Sequence, residues 1–213
     1  GKAMIDYIVK YYDQILRMLL DHGKMVAVSI VISFALAFVL SVVVRRFRNL
    51  SGVVLTVFVG VYCIPSLALF AFLIPFTGLG QVTAIVALVL YNQIFLIRSI
   101  LAGFNSVPSA AREAARGMGI GFMNSLLKVE LPLALPAILG GVRVAAITTS
   151  GITTVAALIN AGGLGVLLFD GIRTMNFNKV WIGVILVCAF TLLLNWGLSV
   201  LEKRSLRRAR GER

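Results

Sequence analysis

Between Arg48 and Arg98 the chain carries no Asp, Glu, Lys or Arg, and the same is true between Lys24 and Arg45 and between Lys179 and Glu202. Each gap holds at least one run of the roughly 20 apolar residues that cross a hydrocarbon core about 30 Å thick. Lipid is therefore the solvent this sequence is built for. Composition agrees, with 60% hydrophobic and 13% charged residues where soluble domains carry about 45–50% and about 25%. The pattern predicts an all-α, polytopic membrane protein of about five spans, at 25–44, 53–75, 82–101, 133–159 and 180–201. The charge-free stretch 49–97 is too long for one span, and FTGLGQ (76–81), following Pro75, supplies the turn between two antiparallel helices.

The cations set the orientation. Arg45, Arg46 and Arg48 follow the first span, Arg98, Arg112, Arg116 and Lys128 the third, and Lys203, Arg204, Arg207, Arg208, Arg210 and Arg213 the fifth. The other side has only Lys2, Lys10, Arg17, Lys24, Arg173 and Lys179. The positive-inside rule gives an N-out, C-in arrangement. Three regions follow: an N-terminal amphipathic helix within 1–24, a transmembrane domain at 25–201 with a cytoplasmic segment at 104–132, and a basic cytoplasmic tail at 202–213. In the first, Ile5, Ile8, Tyr12, Ile15 and Leu19 share a face while Asp6/Lys10 and Asp13/Arg17 pair on the other, the signature of a helix lying on the outer interface.

Several function classes are excluded. The net charge of +12 sits at the ends of spans without interleaved aromatics, which points to topology and anionic headgroups and not to nucleic acid. His22 is the single histidine, no Cys/His set has metal-ligand spacing, and no phosphate-loop motif occurs. Any ATP and magnesium chemistry belongs to another chain. Cys63 and Cys188 fall in apolar runs, where an inert buried thiol is the ordinary state.

Within the spans, Ala137, Gly141, Ala145, Thr149, Thr153 and Ala157 form a ladder of small side chains at every fourth position, which lets neighbouring helices approach closely and marks a bundle-centre helix. Polar residues in spans usually face the interior or a cavity. Tyr62, Tyr91, Asn92, Thr149 and Thr153 are the candidates for a solute path. Arg143 stands about 16 Å of helix beyond Pro132 and is expected to snorkel toward the cytoplasmic headgroups.

The most unusual passage is FNSVPSAAREAARGMGIGFMNSLLKVELP (104–132). Ser106 is suited to cap a helix and Pro108 to its first turn, Gly117, Gly119 and Gly121 to stop it, and a second short helix at 122–130 leads to the fourth span. Glu113-Ala114-Ala115, three residues, Gly119, nine residues, Val129, one residue, Leu131-Pro132 resembles the signature of the membrane subunits of ATP-binding-cassette importers of type I, with Val129 standing where that signature has Ile. IPSLALFAFLIPFTGLG (64–80), TAIVALVLYNQIFLIRSILAGFNSVP (83–108) and TTVAALINAGGLG (153–165) are similar to the osmoprotectant branch, while the AGGLG turn alone also resembles the methionine-type branch.

The resemblance implies a prokaryotic cell-membrane permease taking up glycine betaine, carnitine or choline. It implies two cytoplasmic ATPase subunits, a second permease subunit and an extracytoplasmic binding protein as partners. It makes 104–132 the coupling segment, with Glu113, Ala114 and Ala115 presenting a small contact face and Gly117, Gly119, Gly121, Leu131 and Pro132 shaping it. The alternatives are a methionine-type permease, an ATP-independent channel or secondary transporter, and a structural subunit with no transport role.

Overall fold

The computed structural model describes residues 2–47 and 50–209, except for the side chains of residues 2 and 3. Arg48, Arg210 and Arg213, among the orienting cations, lie outside the described residues, as does the Lys2 side chain. Every regular element among the described residues is helical: α1 (Lys2–Lys10), α2 (Tyr12–Arg46), α3 (Leu50–Cys63), α4 (Ser66–Thr77), α5 (Gln81–Asn105), α6 (Ser109–Gly117), α7 (Phe122–Ser125), a π turn (Leu126–Glu130), α8 (Leu131–Val155), a 3₁₀ turn (Ala156–Ile159), α9 (Gly165–Arg173) and α10 (Phe177–Ala209). Four helical segments are long and apolar enough to cross a membrane, and α3 with α4 makes a fifth when the bent pair is taken as one span.

That bend is the largest departure from the expected layout. The run 53–75 reads as one helix, yet α3 and α4 meet at 99°. Pro65 lacks an amide hydrogen and pushes Ile64 out of the helical region, so the helix stops at Cys63 and restarts at Ser66. A break inside lipid leaves a carbonyl without its helical donor, and the Tyr91 hydroxyl on α5 donates to Ile64 O at 2.7 Å. The turn expected at 76–81 is present over 78–80, with Gly78 and Gly80 at φ +79° and +115°.

The first span and the fifth are longer than expected, and both differences have side-chain causes. Asp21, His22 and Lys24 mark an end in sequence terms, but α2 continues from Tyr12 to Arg46, so the amphipathic stretch 4–20 is split between α1 and the start of a membrane helix. His22 is fully buried because its Nε2 meets Ser150 Oγ on α8 at 3.2 Å and its ring meets the edge of Phe190 on α10 at 5.1 Å. At the other end the basic tail is helical as far as Ala209. Glu202, on that extension, accepts from Arg143 Nη1 at 3.1 Å, and Asn195 accepts from Arg143 Nε at 2.7 Å. Arg143 is thus held between α8 and α10, its far end on Glu202 at the start of the basic tail. Cys63 and Cys188, expected inside, are free thiols on the outer surface.

Helix α8 lies at the centre, packed against α2, α5 and α10. Gly141, Ala145, Thr149 and Thr153 of the small-residue ladder are buried, whereas Ala137 is exposed and Ala157 half-buried. A methyl group on Gly141 would overlap the Ser99 side chain of α5, and one on Gly103 would sit 2.9 Å from Ala134 O. These contacts bring α5 and α8 close enough for the core of Leu96, Ile97, Ile100, Phe104, Leu126, Ala134 and Ile138 to fill the space between them.

Candidate functional site

The segment joining α5 to α8 is built from three local rules. Helix α5 ends where Ser106 Oγ donates to Gly103 O at 2.7 Å; the serine closes the helix behind it instead of capping the one ahead. Pro108 then occupies the N-cap of α6 with no side-chain cap. Helix α6 ends in a Schellman arrangement: Ile120 N donates to Ala115 O at 3.0 Å and Gly119 N to Arg116 O at 2.9 Å, with Gly119 at φ +71°. Of the three glycines expected to stop this helix, only Gly119 has a backbone that a side chain would strain. Gly117 is the last residue of α6 and Gly121 the N-cap of α7.

Proline also sets the return into the membrane. Pro132 has no amide hydrogen to give the residue four positions back, and the Leu131 amide reaches Leu126 O, five positions back. Residues 126–130 are wound as a π turn in consequence, a form that is rare and concentrated at functional sites. Glu130, at its end, is 5% exposed and accepts from Arg45 Nη2 of α2 at 2.7 Å, while the Arg45 guanidinium lies 4.5 Å from the Phe104 ring centre. The segment is therefore fastened to the bundle by an ion pair, a cation–π contact and the buried side chains of Val107, Ala115 and Leu126.

The signature residues separate into two groups. Ala115 is buried at 1% exposure, facing inward instead of completing an outer contact face. Glu113 and Ala114 are exposed. Glu113 has no ion-pair or hydrogen-bond partner among the described residues, and the i,i+3 pair with Arg116 is not formed. A side chain added at Gly117, Gly119 or Gly121 would meet nothing within 4 Å. Around them Met118, Phe122, Met123 and Leu127 are 46–70% exposed. The sequence reading passed over these four; the available signal was four large apolar residues within ten positions of a segment otherwise marked as cytoplasmic.

The path candidates are also divided. Asn92 accepts from Thr149 Oγ1 at 2.8 Å and donates to Ser33 Oγ at 3.3 Å, which ties α2, α5 and α8 together, and Thr153 Oγ1 turns back to Thr149 O at 2.7 Å. All three, like Tyr91, are at most 2% exposed. Tyr62 is 42% exposed and packs edge-on against Tyr91 and Phe95 beside the α3–α4 bend. Of the five, only Tyr62 offers substantial surface in this conformation. A second polar relay went unread: His22, Ser150 and Thr191, the last two oxygens 2.7 Å apart, join α2, α8 and α10.

The sequence pattern of the family described as "Binding-protein-dependent transport system inner membrane component" matches residues 29–207. The chain belongs to that family. This inner membrane component is 32% identical to the osmoprotectant import permease protein OsmW of Salmonella typhimurium over 203 residues, 93% of this chain and 94% of the relative. It is 31% identical to the glycine betaine/carnitine/choline transport system permease protein OpuCB of Bacillus subtilis, over 86% of this chain and 85% of that one. Among solved structures it matches the MetNI methionine ABC transporter in an inward-facing form, with a TM-score of 0.81 and 22% identity over 92% of this chain and 98% of that one. The last likeness bears out the type I importer permease fold; the first two place this permease among ABC importer membrane subunits.

Proposed function

We propose that this permease and a second permease subunit form the membrane path for small quaternary amines such as glycine betaine, carnitine or choline. Two cytoplasmic ATPase subunits, carrying the ATP and magnesium, drive it, and an extracytoplasmic binding protein loads it. The observation that carries the substrate class is the identity to OsmW over nearly the whole of both chains. Chemistry supports it: a quaternary ammonium has no N–H to donate and is recognised through aromatic faces. None of the five apolar stretches carries an acid that would trap such a cation, and Tyr62, beside Tyr91 and Phe95, offers an aromatic wall.

The ATPase contact is the outer surface of the hinge. Glu113, Ala114, Gly117, Gly119 and Gly121 lie there beside Met118, Phe122 and Met123, an unpaired acid and uncovered backbone within an apolar patch on a segment that faces water. Ala115, Leu131 and Pro132 act from behind, fixing the hinge to α8. Asn92, Thr149 and Thr153 contribute to the path by holding α2, α5 and α8 in register. The permease is oriented N-out and C-in.

Reconstitution with the ATPase and binding protein tests this reading. Labelled glycine betaine should enter vesicles only with ATP and both partners; gradient-driven uptake by the permease alone, or preference for methionine, rejects it. Orientation is read in a cysteine-free background with single cysteines at the exposed positions Ser109, Thr174 and Lys203. An impermeant thiol reagent outside intact cells should reach Thr174→Cys alone, and labelling of either other position reverses the topology.

A further inference from the structure

A cavity of about 590 Å³ opens where α2, α3, α5 and α6 converge, and its charged lining is cationic: Arg45, Arg98 and Arg112, with Ser51 and Asn105 beside them. Among the described residues no carboxylate lines it. Glu130, paired with Arg45 at 2.7 Å, lines an adjoining cavity of about 200 Å³ that Arg45 and Arg112 also border. Arg98 is exposed and has no ion-pair or hydrogen-bond partner among the described residues. Arg112 uses one nitrogen, Nη2, on Val107 O at 3.0 Å. Arg45 gives Nη2 to Glu130, but its Nη1 is buried with no partner. Glu130 neutralises part of this charge, but Arg45 keeps an unmet buried donor and Arg98 and Arg112 have no acid paired to them, so an anion among the three guanidinium groups would relieve their repulsion.

Depth and lining identify the anion. Asn105 is the last residue of α5, and Arg98, seven residues earlier, stands about 10 Å up the helix axis. The cavity thus reaches from the water edge through the headgroup layer, which occupies roughly 5–8 Å on each side of the hydrocarbon core. Val44, Leu55 and Leu101 complete its walls, and the neighbouring surface of α3 exposes Leu50, Val53 and Val57 at 42–60%. A free phosphate has no use for apolar walls, and an acidic side chain of a soluble partner would approach from water alone. We propose that this cavity seats the phosphodiester of an anionic phospholipid, with the arginines on the phosphate oxygens and the acyl chains along α3. Cationic side chains attract phosphate oxygens through charge, and basic pockets between membrane helices are suited to lipid headgroups. Lipid phosphates line both membrane surfaces, so the site is independent of the orientation proposed above.

The full chain, purified and reconstituted in phosphatidylcholine vesicles with and without photoactivatable phosphatidylglycerol, tests the site. Native mass spectrometry should show one phosphatidylglycerol retained per chain, and cross-linked peptides should come from 50–58 or 98–105. R98Q/R112Q should lose about thirtyfold in phosphatidylglycerol affinity with an unchanged melting temperature in phosphatidylcholine, and R98K/R112K should keep most of it. The lysine pair also serves if the glutamine pair fails to fold, since loss of retention in a folded, fully charged variant overturns the proposal. Equal retention in wild type and R98Q/R112Q overturns it as well. Displacement of the lipid by inorganic phosphate overturns the lipid assignment in favour of a free anion, and loss of ATPase association with lipid retention intact reassigns the arginines to the motor subunit.

Discussion

Asn92 and Glu113 are both polar residues in an apolar chain, and their surroundings could hardly differ more. Asn92 is 1% exposed and meets Thr149 on one side and Ser33 on the other. Glu113, only 21 positions later, is exposed and has no partner among the described residues. A polar group in hydrocarbon is tolerated when its bonds are closed within the protein. A polar group in water needs no partner to be stable, so stability gives no reason for an acid at 113. The contrast extends to glycine: substituents at Gly141 and Gly103 would strike α5 or α8, while those at Gly117 and Gly121 meet open space. Small residues in the membrane serve packing within the chain, whereas the glycines of the hinge have open space beside them and no packing role within it.

The sharpest way to break this division is Glu113→Lys. Reversing the charge on the proposed docking surface should reduce ATP-driven uptake at least tenfold, roughly the 1.4 kcal/mol that separates a paired from an unpaired charge, with the melting temperature unchanged. Uptake at the wild-type level removes the hinge from the coupling path. Gly141→Val is the complement: overlap with Ser99 should destabilise the fold by about 1–3 kcal/mol, seen as a lower midpoint in thermal unfolding and a lower yield. A Gly117→Val variant should leave that midpoint where it was and depress uptake, and a fall in stability as large as at Gly141 would erase the distinction.

A double-mutant cycle on Asn92→Ala and Thr149→Ala should give a coupling of about 0.6–1.7 kcal/mol, the range for hydrogen bonds between membrane helices. Zero coupling would mean that the bond contributes nothing to holding α5 on α8. The smallest effect lies at Asp170 on α9, outside the membrane spans. Hydrogen bonds from Lys179 and Arg173 hold its carboxyl below the usual carboxylate range. A lowered folded-state value makes its contribution complete above the ordinary Asp value near 4 and lost as pH falls through the lower folded value. Wild type and Asp170→Asn should therefore differ slightly at pH 7, by well under about 1 kcal/mol for a pair this exposed, and converge in acid. A difference that persists in strong acid would show that the ion pair is not its source.

Charge placement made the membrane class, the rough span positions and the hinge readable without coordinates, because a charged side chain in hydrocarbon is expensive wherever it occurs and its absence leaves an unambiguous trace. The break at Pro65 left a fainter trace, since a proline in an apolar run can kink a helix, end it or be accommodated; the 99° result depends on Tyr91 being placed to take the Ile64 carbonyl. Pairings between distant residues were not legible. Arg143 read as a snorkelling cation because its partners, Asn195 and Glu202, lie 52 and 59 positions away. Helix α9 has no counterpart in the sequence pattern, its nine residues being too few to show a period. In the hinge the spacing of Glu113, Gly119 and Pro132 was plain, but which residues face outward is decided by Ala115 and Leu126 turning toward the bundle.

The π turn at 126–130 has a mechanical meaning of its own. Its hydrogen bond spans five residues where an α-helix spans four, so this stretch stores one residue more than a continuous helix would hold. Releasing that residue into regular winding would turn the upstream segment about 100° around the axis of α8 and slide it about 1.5 Å along it. Those five residues lie between the outer surface of the hinge and the central helix of the bundle, so rewinding them would tie rotation of the hinge to its sliding along α8, as a screw thread does.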